Sequence, residues 1–269
     1  MPLRVRTATE DDVPAIAALT ATSRARLAGW SPLWWRPSAA ADEIHPLWLG
    51  HLLGSGLATV RVADDGGTVV GCAVAMPQPG RWFVDDVAVA ADDRWSDAGA
   101  ALLAAITERP ALTCTPTEDG ARRAALDAAG LRTVARYWIA PTRPDGGAEG
   151  AGAAPLPPGA AVPPPPPHTF GGALDPWAPG ALTFTYDGGL VVGSPSTPAP
   201  PVYDPGGPVA IVDRVVGPDP AGLLRLALGT AARRGDVLLA VVAAAGDAAL
   251  ERALGAEGFV RTVEVDAWP

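Results

Sequence analysis

Alternating apolar and polar positions predict a series of strands in the first half of the chain. Residues 57–63 alternate, a turn signal of Asp-Asp-Gly-Gly follows at 64–67, and residues 68–76 are again strand-like. This arrangement is typical of a β-hairpin. Other strand-like stretches are residues 3–7, 82–90, 111–115 and 131–139.

Helical patterns lie between these strands. Thr9 followed three residues later by Asp12 is a capping signal, and the apolar stripe of the first helix begins at Val13. Further helices are predicted within residues 30–53, 98–106 and 118–129. The order β-α-(α)-β-β-β-α-β-α-β predicts an α/β fold with a mixed, largely antiparallel sheet and helices on both faces.

The second half of the chain repeats the later part of this pattern. Residues 212–215 match residues 84–87, and residues 256–263 match residues 128–134. The leading strand and helices have no counterpart, so we expect a truncated second copy of one fold. In this copy Asp219 followed by Pro220 predicts the start of a helix that runs to Gly235.

Glycine and proline separate the two halves. Of 31 Gly and 30 Pro, residues 142–208 hold 13 and 17, including five consecutive prolines at 163–167. Proline runs favour extended polyproline geometry, which predicts a semi-rigid spacer. We therefore expect an N-terminal domain at 1–141, a linker at 142–170 and a C-terminal domain at 171–269.

Composition excludes several classes of protein. The net charge is −9, every basic residue is Arg and none cluster, which argues against nucleic-acid binding. No apolar run reaches about 18 residues, and the polar N-terminus is unlike a secretory signal. Cys72 and Cys114 are isolated, so no disulfide or metal site is expected. We expect a cytoplasmic monomer or homodimer that contacts neither membrane nor nucleic acid.

Residues 3–12 at the start, residues 84–103 and the order of elements resemble the GNAT superfamily of acyl-CoA-dependent N-acyltransferases. The resemblance covers nearly all of residues 1–140 and, more loosely, 181–269. It implies acetyl-CoA or another acyl-CoA as co-substrate and a thioester that enters where the fourth and fifth strands diverge. No metal is implied.

The family holds the CoA pyrophosphate with a loop of the form R-G-x-G-x-G/A, whose backbone N–H groups and helix dipole suit phosphate. Here Arg94 and Gly99 match, whereas Trp95 and Asp97 replace two glycines, and Asp97 is able to cap its own helix. The cofactor-binding residues implied by the resemblance are Val87, Ala88, Val89, Arg94, Trp95, Ser96, Asp97, Ala98, Gly99 and Ala100.

The resemblance also implies catalytic residues. A carboxylate on the fourth strand, Asp85 or Asp86, would take the proton of the amine directly or through water. Simple alternation places the two on opposite faces, so at most one would reach the cleft. The alternative is that both are solvent-facing strand-end groups. Leu126 occupies the position at which the family often has a Tyr that acts as the general acid.

Four residues between the first helix and the second strand are candidates for binding the acceptor. They are Trp30, Trp34, Trp35 and His45. Indole rings offer flat apolar faces that attract cations, and His titrates near neutral pH. The alternatives are that the indoles fill an interface between the two copies and that His45 is an ordinary buried histidine.

Two functions follow. The first is an N-acyltransferase, most simply acetyl-CoA dependent, that acylates the amine of a small molecule, with backbone near residues 87–89 holding the thioester carbonyl. The alternative is an inactive or repurposed GNAT-like protein that binds a small ligand or a protein partner without CoA. A different biosynthetic reaction without CoA is a weaker third hypothesis.

Overall fold

A computed structural model describes residues 2–31, 33–106, 108–144, 153–168 and 173–268. The chain divides into two compact units. The first comprises residues 1–32, 36–133 and 264–269, and the second comprises residues 33–35 and 134–263.

The first unit contains five strands and four helices as complete elements. In chain order they are β1 (Arg4–Thr7), α1 (Val13–Trp30), α2 (Ala41–Ser55), β2 (Thr59–Asp65), β3 (Thr68–Gln78), β4 (Arg81–Val89), α3 (Ala98–Ala105), β5 (Ala111–Pro116) and α4 (Gly120–Ala128). The strands and helices predicted within residues 3–129 all have counterparts here, with shifted ends, and residues 30–53, for which one or two short helices were predicted, contain most of α2.

The start of α1 is fixed by the predicted capping pair. The Thr9 amide donates to the Asp12 carboxylate (2.8 Å), and Arg6 binds both oxygens of Asp12 at 2.7 Å. These bonds, with that of Arg6 first, lower the pKa of Asp12 to about 2. The capping prediction is confirmed, although a single 3-10 turn, Glu10–Asp12, precedes the helix.

The sheet of the first unit is mixed, as predicted. Strands β1 to β4 pair antiparallel in chain order, and β4 pairs parallel with β5. Apolar side chains cover both faces. Ile16 of α1 and Leu49 of α2 pack on one face, and Leu102 and Leu103 of α3 pack on the other. Truncating any of these leucines to Ala would cost about 2–5 kcal/mol.

The second unit has its own sheet and helices. Its elements are β6 (Arg132–Pro141), β7 (Phe184–Tyr186), β8 (Gly189–Gly193), β9 (Val209–Val216), α5 (Pro220–Arg233), β10 (Leu238–Ala244), α6 (Ala248–Ala256) and β11 (Val260–Trp268), of which β6 begins and β11 ends among residues of the first unit. Strands β7, β8 and β9 pair antiparallel, whereas β9 pairs parallel with β10. As predicted, Asp219 caps α5, accepting from Gly222 N (2.9 Å).

Part of the predicted spacer lies folded against the second unit. Ala154 exchanges backbone hydrogen bonds with Thr185 at 2.9 and 2.8 Å, and the side chain of His168 is 1% exposed. Residues 145–152, 169 and 170 of the predicted linker lie outside the described residues. The described part therefore contributes to the packing of this unit, beyond any role in separating two domains.

The described residues lack two kinds of feature. None of the helices is both long and apolar enough to cross a membrane. No group of three or more His, Cys, Asp or Glu side chains is arranged to hold a metal ion in the described ranges.

Candidate functional site

Strand β4 carries a bulge at the two candidate carboxylates. Val84 pairs with Ala75 and Val87 pairs with Ala73, so that Asp85 and Asp86 together oppose the single residue Val74. A bulge of this kind interrupts the alternation of faces and re-aims side chains. The expectation that alternation alone sets the directions of Asp85 and Asp86 assumed a regular strand, and β4 is irregular at these two residues.

Asp86 faces a buried histidine on α2. The Nε2 atom of His45 lies 3.7 Å from Oδ2 of Asp86, and the His45 side chain is only 6% exposed while that of Asp86 is 37% exposed. Asp86, predicted as the catalytic base, and His45, predicted to bind the acceptor substrate, therefore lie next to each other. Asp86 is neither a fully solvated strand-end group nor a buried one.

Thr20 of α1 holds the other side of the imidazole. Its Oγ1 lies 3.2 Å from Nδ1 of His45 and about as far from two carbonyls, Ile16 O (3.0 Å) and Ala17 O (3.1 Å). A hydroxyl has one hydrogen to donate. If that hydrogen goes to a carbonyl, Nδ1–H of His45 donates to Thr20 and Nε2 is left as an acceptor on the side of Asp86.

Asp85 has an unusual acidity. Burial of its carboxyl, followed by the nearby charge of Asp86, raises the pKa of Asp85 to about 7, and Arg122 only partly opposes this. Near neutral pH the carboxyl is therefore able to hold or release a proton. Groups with such shifts gather at functional sites, which supports this strand as the centre of the site.

Cys72 and Leu126 add no reactive group to this cluster. Burial, followed by the charge of Asp86, raises the pKa of the Cys72 thiol far above its usual range, so it stays protonated. Leu126, at the family's Tyr position, is fully buried in the core beside α3. The Cys72 side chain is likewise part of the core beneath α1 and α2.

The loop before α3 is filled by its own side chains. Residues Asp92–Trp95 form a 3-10 turn, and the Trp95 side chain belongs to the core with 5% exposure. Its ring lies so close to Gly99 that an added Cβ there would come within 2.5 Å of Trp95 Cε3. The glycine that matches the family pattern therefore makes room for an indole in this chain.

The charged groups of the loop are also engaged. Arg94 donates to Asp65 (3.0 Å) and to Asp97 (3.1 Å), and the Asp97 carboxylate accepts the first amide of α3, that of Ala98. Ser96 Oγ donates to Asp93 O (3.0 Å). The cation and the amide that a phosphate needs are taken, and Asp97 places negative charge among them. The residues present do not fit a CoA pyrophosphate.

Arg122 of α4 occupies the divergence of β4 and β5. The parallel pairing runs from Trp82 opposite Ala111 to Val84 opposite Thr113, while β4 itself continues to Val89. Beyond the last pair, Arg122 Nη1 donates to Val87 O (3.3 Å) and Nη2 donates to Thr113 Oγ1 (3.0 Å). Val87, one of the residues whose backbone the resemblance places beside the thioester, thus has its carbonyl bound by this chain's own guanidinium.

The remaining backbone positions assigned to the cofactor face β3 on one side. Ala88 pairs with Cys72 and Val89 with Gly71. Ala98 and Gly99 are buried at the start of α3, whereas Ala100 on the same helix is exposed. Ala100 lines a groove of about 830 Å³ between α3 and α4, together with Trp95 and with Trp268, whose ring centroid lies 3.9 Å from the Arg109 guanidinium carbon.

The three candidate indoles each have other surroundings in the structure. Trp30 ends α1, where the guanidinium carbon of Arg26 lies 5.3 Å from its ring. Trp34 and Trp35 belong to the second unit, where Trp35 packs edge-on against Tyr203 with centroids 4.9 Å apart. Thr20 and Arg122, in contrast, join the site and were not expected from the sequence, since isolated Thr and Arg residues on helices give no signal.

The second unit buries a charged cluster of its own on β9. The Asp213 carboxylate accepts from Arg214 Nε (2.8 Å) and from the amide of Leu174 (2.9 Å), and it lies 3.3 Å from His168 Nε2. Arg214 also donates to carbonyls of Leu174 and Pro163. This cluster attaches the proline-rich segment to β9.

Comparison with known proteins shows the fold. No protein-family model and no curated protein matches the chain. Among solved structures, a GCN5-related N-acetyltransferase from Sphaerobacter thermophilus matches 99% of this chain and 95% of its own, with 18% identity and a TM-score of 0.57. An acetyltransferase structure from Thermoplasma acidophilum matches 98% and 99%, with 12% identity and a TM-score of 0.53. At these identities the chain shares the GNAT acetyltransferase fold, and the likeness extends no further than the fold.

Proposed function

We propose that the first unit binds the amino group of a small molecule between His45 and Asp86, without an acyl-CoA pyrophosphate in loop 92–97. The observation that carries the proposal is the pair of atoms Nε2 and Oδ2, 3.7 Å apart. In the tautomer with the proton on Nδ1 both are acceptors, so a donor with several hydrogens bridges them best. A primary amine or ammonium group meets this need.

The loop geometry supports the absence of CoA. A pyrophosphate is favoured by free backbone amides and by unpaired cations at a helix N-terminus. Arg94 is paired with Asp65 and Asp97, and Asp97 caps α3. Inserting a phosphate would require these bonds to break and would bring it against carboxylates. The loop therefore costs more to open than an ordinary GNAT loop of glycines.

Calorimetry with CoA and acetyl-CoA tests this part of the proposal. We expect no heat of binding and no change in Tm at concentrations where a bound ligand at about 100 times its Kd would add about 2.7 kcal/mol of stability. Asp97→Gly and Trp95→Gly supply the matched arms, because they restore the family residues. Saturable binding of CoA to the unaltered protein would contradict the proposal.

Amine binding is tested separately with methylamine, tyramine and spermidine as probes. Asp86→Asn and His45→Gln should each weaken binding of the best probe by at least about tenfold, the loss of one charge-assisted hydrogen bond. His51→Gln is the matched control, because His51 is exposed and stacks on Trp48. If the probe binds the His45→Gln and Asp86→Asn proteins as well as the unaltered one, the amine site lies elsewhere. A proton on Nε2 of His45, detected by the ¹⁵N chemical shifts of its ring, would contradict the pair of acceptors on which this amine site rests.

A second candidate is the acyl-CoA-dependent N-acyltransferase that the sequence predicts. Its support is the shared fold together with the two candidate bases, His45 on α2 and Asp86 on β4. Nε2 of His45 is placed to take a proton from an amine bound at Asp86. In that case the acyl-CoA would have to enter by displacing Arg122 or Trp95. Release of free thiol from acetyl-CoA in the presence of an amine would establish this candidate over the first.

We propose that the second unit is a truncated copy of the first. Its order of an antiparallel β8–β9 pair followed by a parallel β9–β10 pair matches β3–β4 and β4–β5. Asp213 also stands on β9 where Asp85 stands on β4, although it is fully occupied by Arg214 and Leu174. Its role would be structural. Cytoplasmic location and a monomeric or dimeric state stay predictions.

A further inference from the structure

The guanidinium of Arg122 is a buried charge without an ion-pair partner. Arg122 is 7% exposed, and within the described ranges no Asp or Glu oxygen lies within 4.0 Å of it. Its two hydrogen bonds go to neutral oxygens, Val87 O and Thr113 Oγ1, and its Nε has no acceptor among the described residues. Burial lowers the pKa of Arg122, opposed by longer-range attraction from Asp119, Cys114, Asp86 and Asp266. The guanidinium carbon also lies 5.9 Å from the centroid of the Trp95 ring.

Such a group is rare for a physical reason. Removing a cation from water is strongly unfavourable, so buried charges are normally paired with an opposite charge or bind a charged ligand. The neighbouring Arg123 follows this rule, because Glu264 and Asp266 both bind it at 2.5 Å. Arg122 therefore stands out against a neighbour on the same helix.

A second unsatisfied group lies on the same side of the diverging strands. Thr115 follows Thr113 by two residues on β5, so both side chains stand on one face of the strand. Thr115 is fully buried, and its Oγ1 has no hydrogen-bond partner among the described residues. The pairing of β4 with β5 has ended at Thr113, so this hydroxyl belongs to the diverging part of the strands.

We propose that the divergence of β4 and β5 is a binding site for a small carboxylate, held by Arg122 and Thr115. A planar carboxylate accepts from a guanidinium edge and a hydroxyl together, and it supplies the single negative charge that Arg122 lacks. A phosphate dianion is less suitable, since Asp119, Asp86 and Asp266 already act on this guanidinium and would repel a second negative charge. The site is separate from His45 and its amine proposal, and either stands without the other.

Thermal unfolding in sodium acetate against sodium chloride at equal ionic strength tests the site. Acetate should raise the Tm of the unaltered protein by at least about 2 °C in a saturable manner. Arg122→Met should abolish this rise, because a methionine of similar length removes the charge and its donors. Arg123→Met is the matched control and should lower the Tm but keep the acetate response.

Thr115→Val provides a second measurement in case Arg122→Met does not fold. It keeps the shape of the side chain and the cation, so acetate should still bind but at several-fold higher concentration. An equal Tm in acetate and chloride at every concentration overturns the proposal. So does an acetate response that survives in Arg122→Met, or, where that variant does not fold, one that appears in Thr115→Val at the same acetate concentration as in the unaltered protein. Methylamine in place of acetate distinguishes the two sites, since its binding should be weakened by Asp86→Asn and not by Arg122→Met.

Discussion

The indole of Trp95 lies directly on Gly99, and a methyl group at residue 99 would approach Trp95 Cε3 to 2.5 Å. One side chain of the loop thereby uses the small residue that would otherwise let a backbone approach a phosphate. The contact joins the 3-10 turn Asp92–Trp95 to the first turn of α3. It also explains why a match to the family at Gly99 says little about CoA.

Gly99→Ala should destabilise the protein by about 1–3 kcal/mol, the usual cost of overpacking a tight core site. Gly54→Ala in α2 is the matched control, because a Cβ there meets no atom within 4 Å. That change should instead stabilise by up to about 1 kcal/mol through helix propensity. Urea unfolding measures both, and equal effects of the two substitutions would contradict the packing of Trp95 on Gly99.

Asp85→Asn should change how stability depends on pH. The folded-state pKa of Asp85, about 7, lies above its usual value of 3.8, so the folded protein binds more protons between these values. The free energy of unfolding of the unaltered protein then falls as pH rises from about 4 to about 7. Asp85→Asn removes this loss. The variant should gain stability over the unaltered protein at pH 8 and show little gain at pH 4.

Urea unfolding across this range provides the measurement. Asp92→Asn serves as control, since Asp92 is exposed and forms its ion pair with Arg26 at the surface. A difference between Asp85→Asn and the unaltered protein that stays constant from pH 4 to pH 8 would mean that Asp85 titrates as an ordinary carboxyl.

Thr20→Val should leave the Nδ1–H of His45 without its acceptor. A buried polar group without a partner costs about 1–3 kcal/mol, so the free energy of unfolding should fall by this amount. Thr20→Ser keeps the hydroxyl and should cost less. The Nδ1 proton resonance of His45 should shift in Thr20→Val but remain near its position in Thr20→Ser. An unchanged resonance in both would refute the tautomer with the proton on Nδ1.

Asp213→Asn should loosen the segment held by β9. The amide leaves Arg214 and His168 without a carboxylate, and loss of one partner of a buried ion pair costs about 3–5 kcal/mol. Limited proteolysis should then cleave faster near Leu174, whose amide loses its charged acceptor. Asp187→Asn, at an exposed hairpin turn, is the control and should leave the cleavage rate unchanged.

Local interactions explain why several features were predicted correctly from the sequence. The capping pair Thr9 and Asp12, the hairpin turns and the helix start at Asp219 each depend on residues a few positions apart. The alternation of apolar and polar residues likewise predicts strands wherever one face of a sheet is buried and the other is exposed. Together these signals were enough to predict a mixed α/β sheet, and the repeated pattern was enough to suggest two related halves.

Only the tertiary structure decided the arrangement of the candidate site. The bulge at Asp85 and Asp86 depends on how β4 pairs with β3 around Val74, and the sequence of β4 alone does not predict it. His45 meets Asp86 across a helix and a strand, and Arg122 enters the divergence of β4 and β5 from α4. These contacts join residues far apart in the chain, and their geometry follows from the packing of whole elements. Sequence periodicity predicts the secondary structure that a segment prefers. The geometry of a site depends on distances between segments, which only the packing of the whole fold determines.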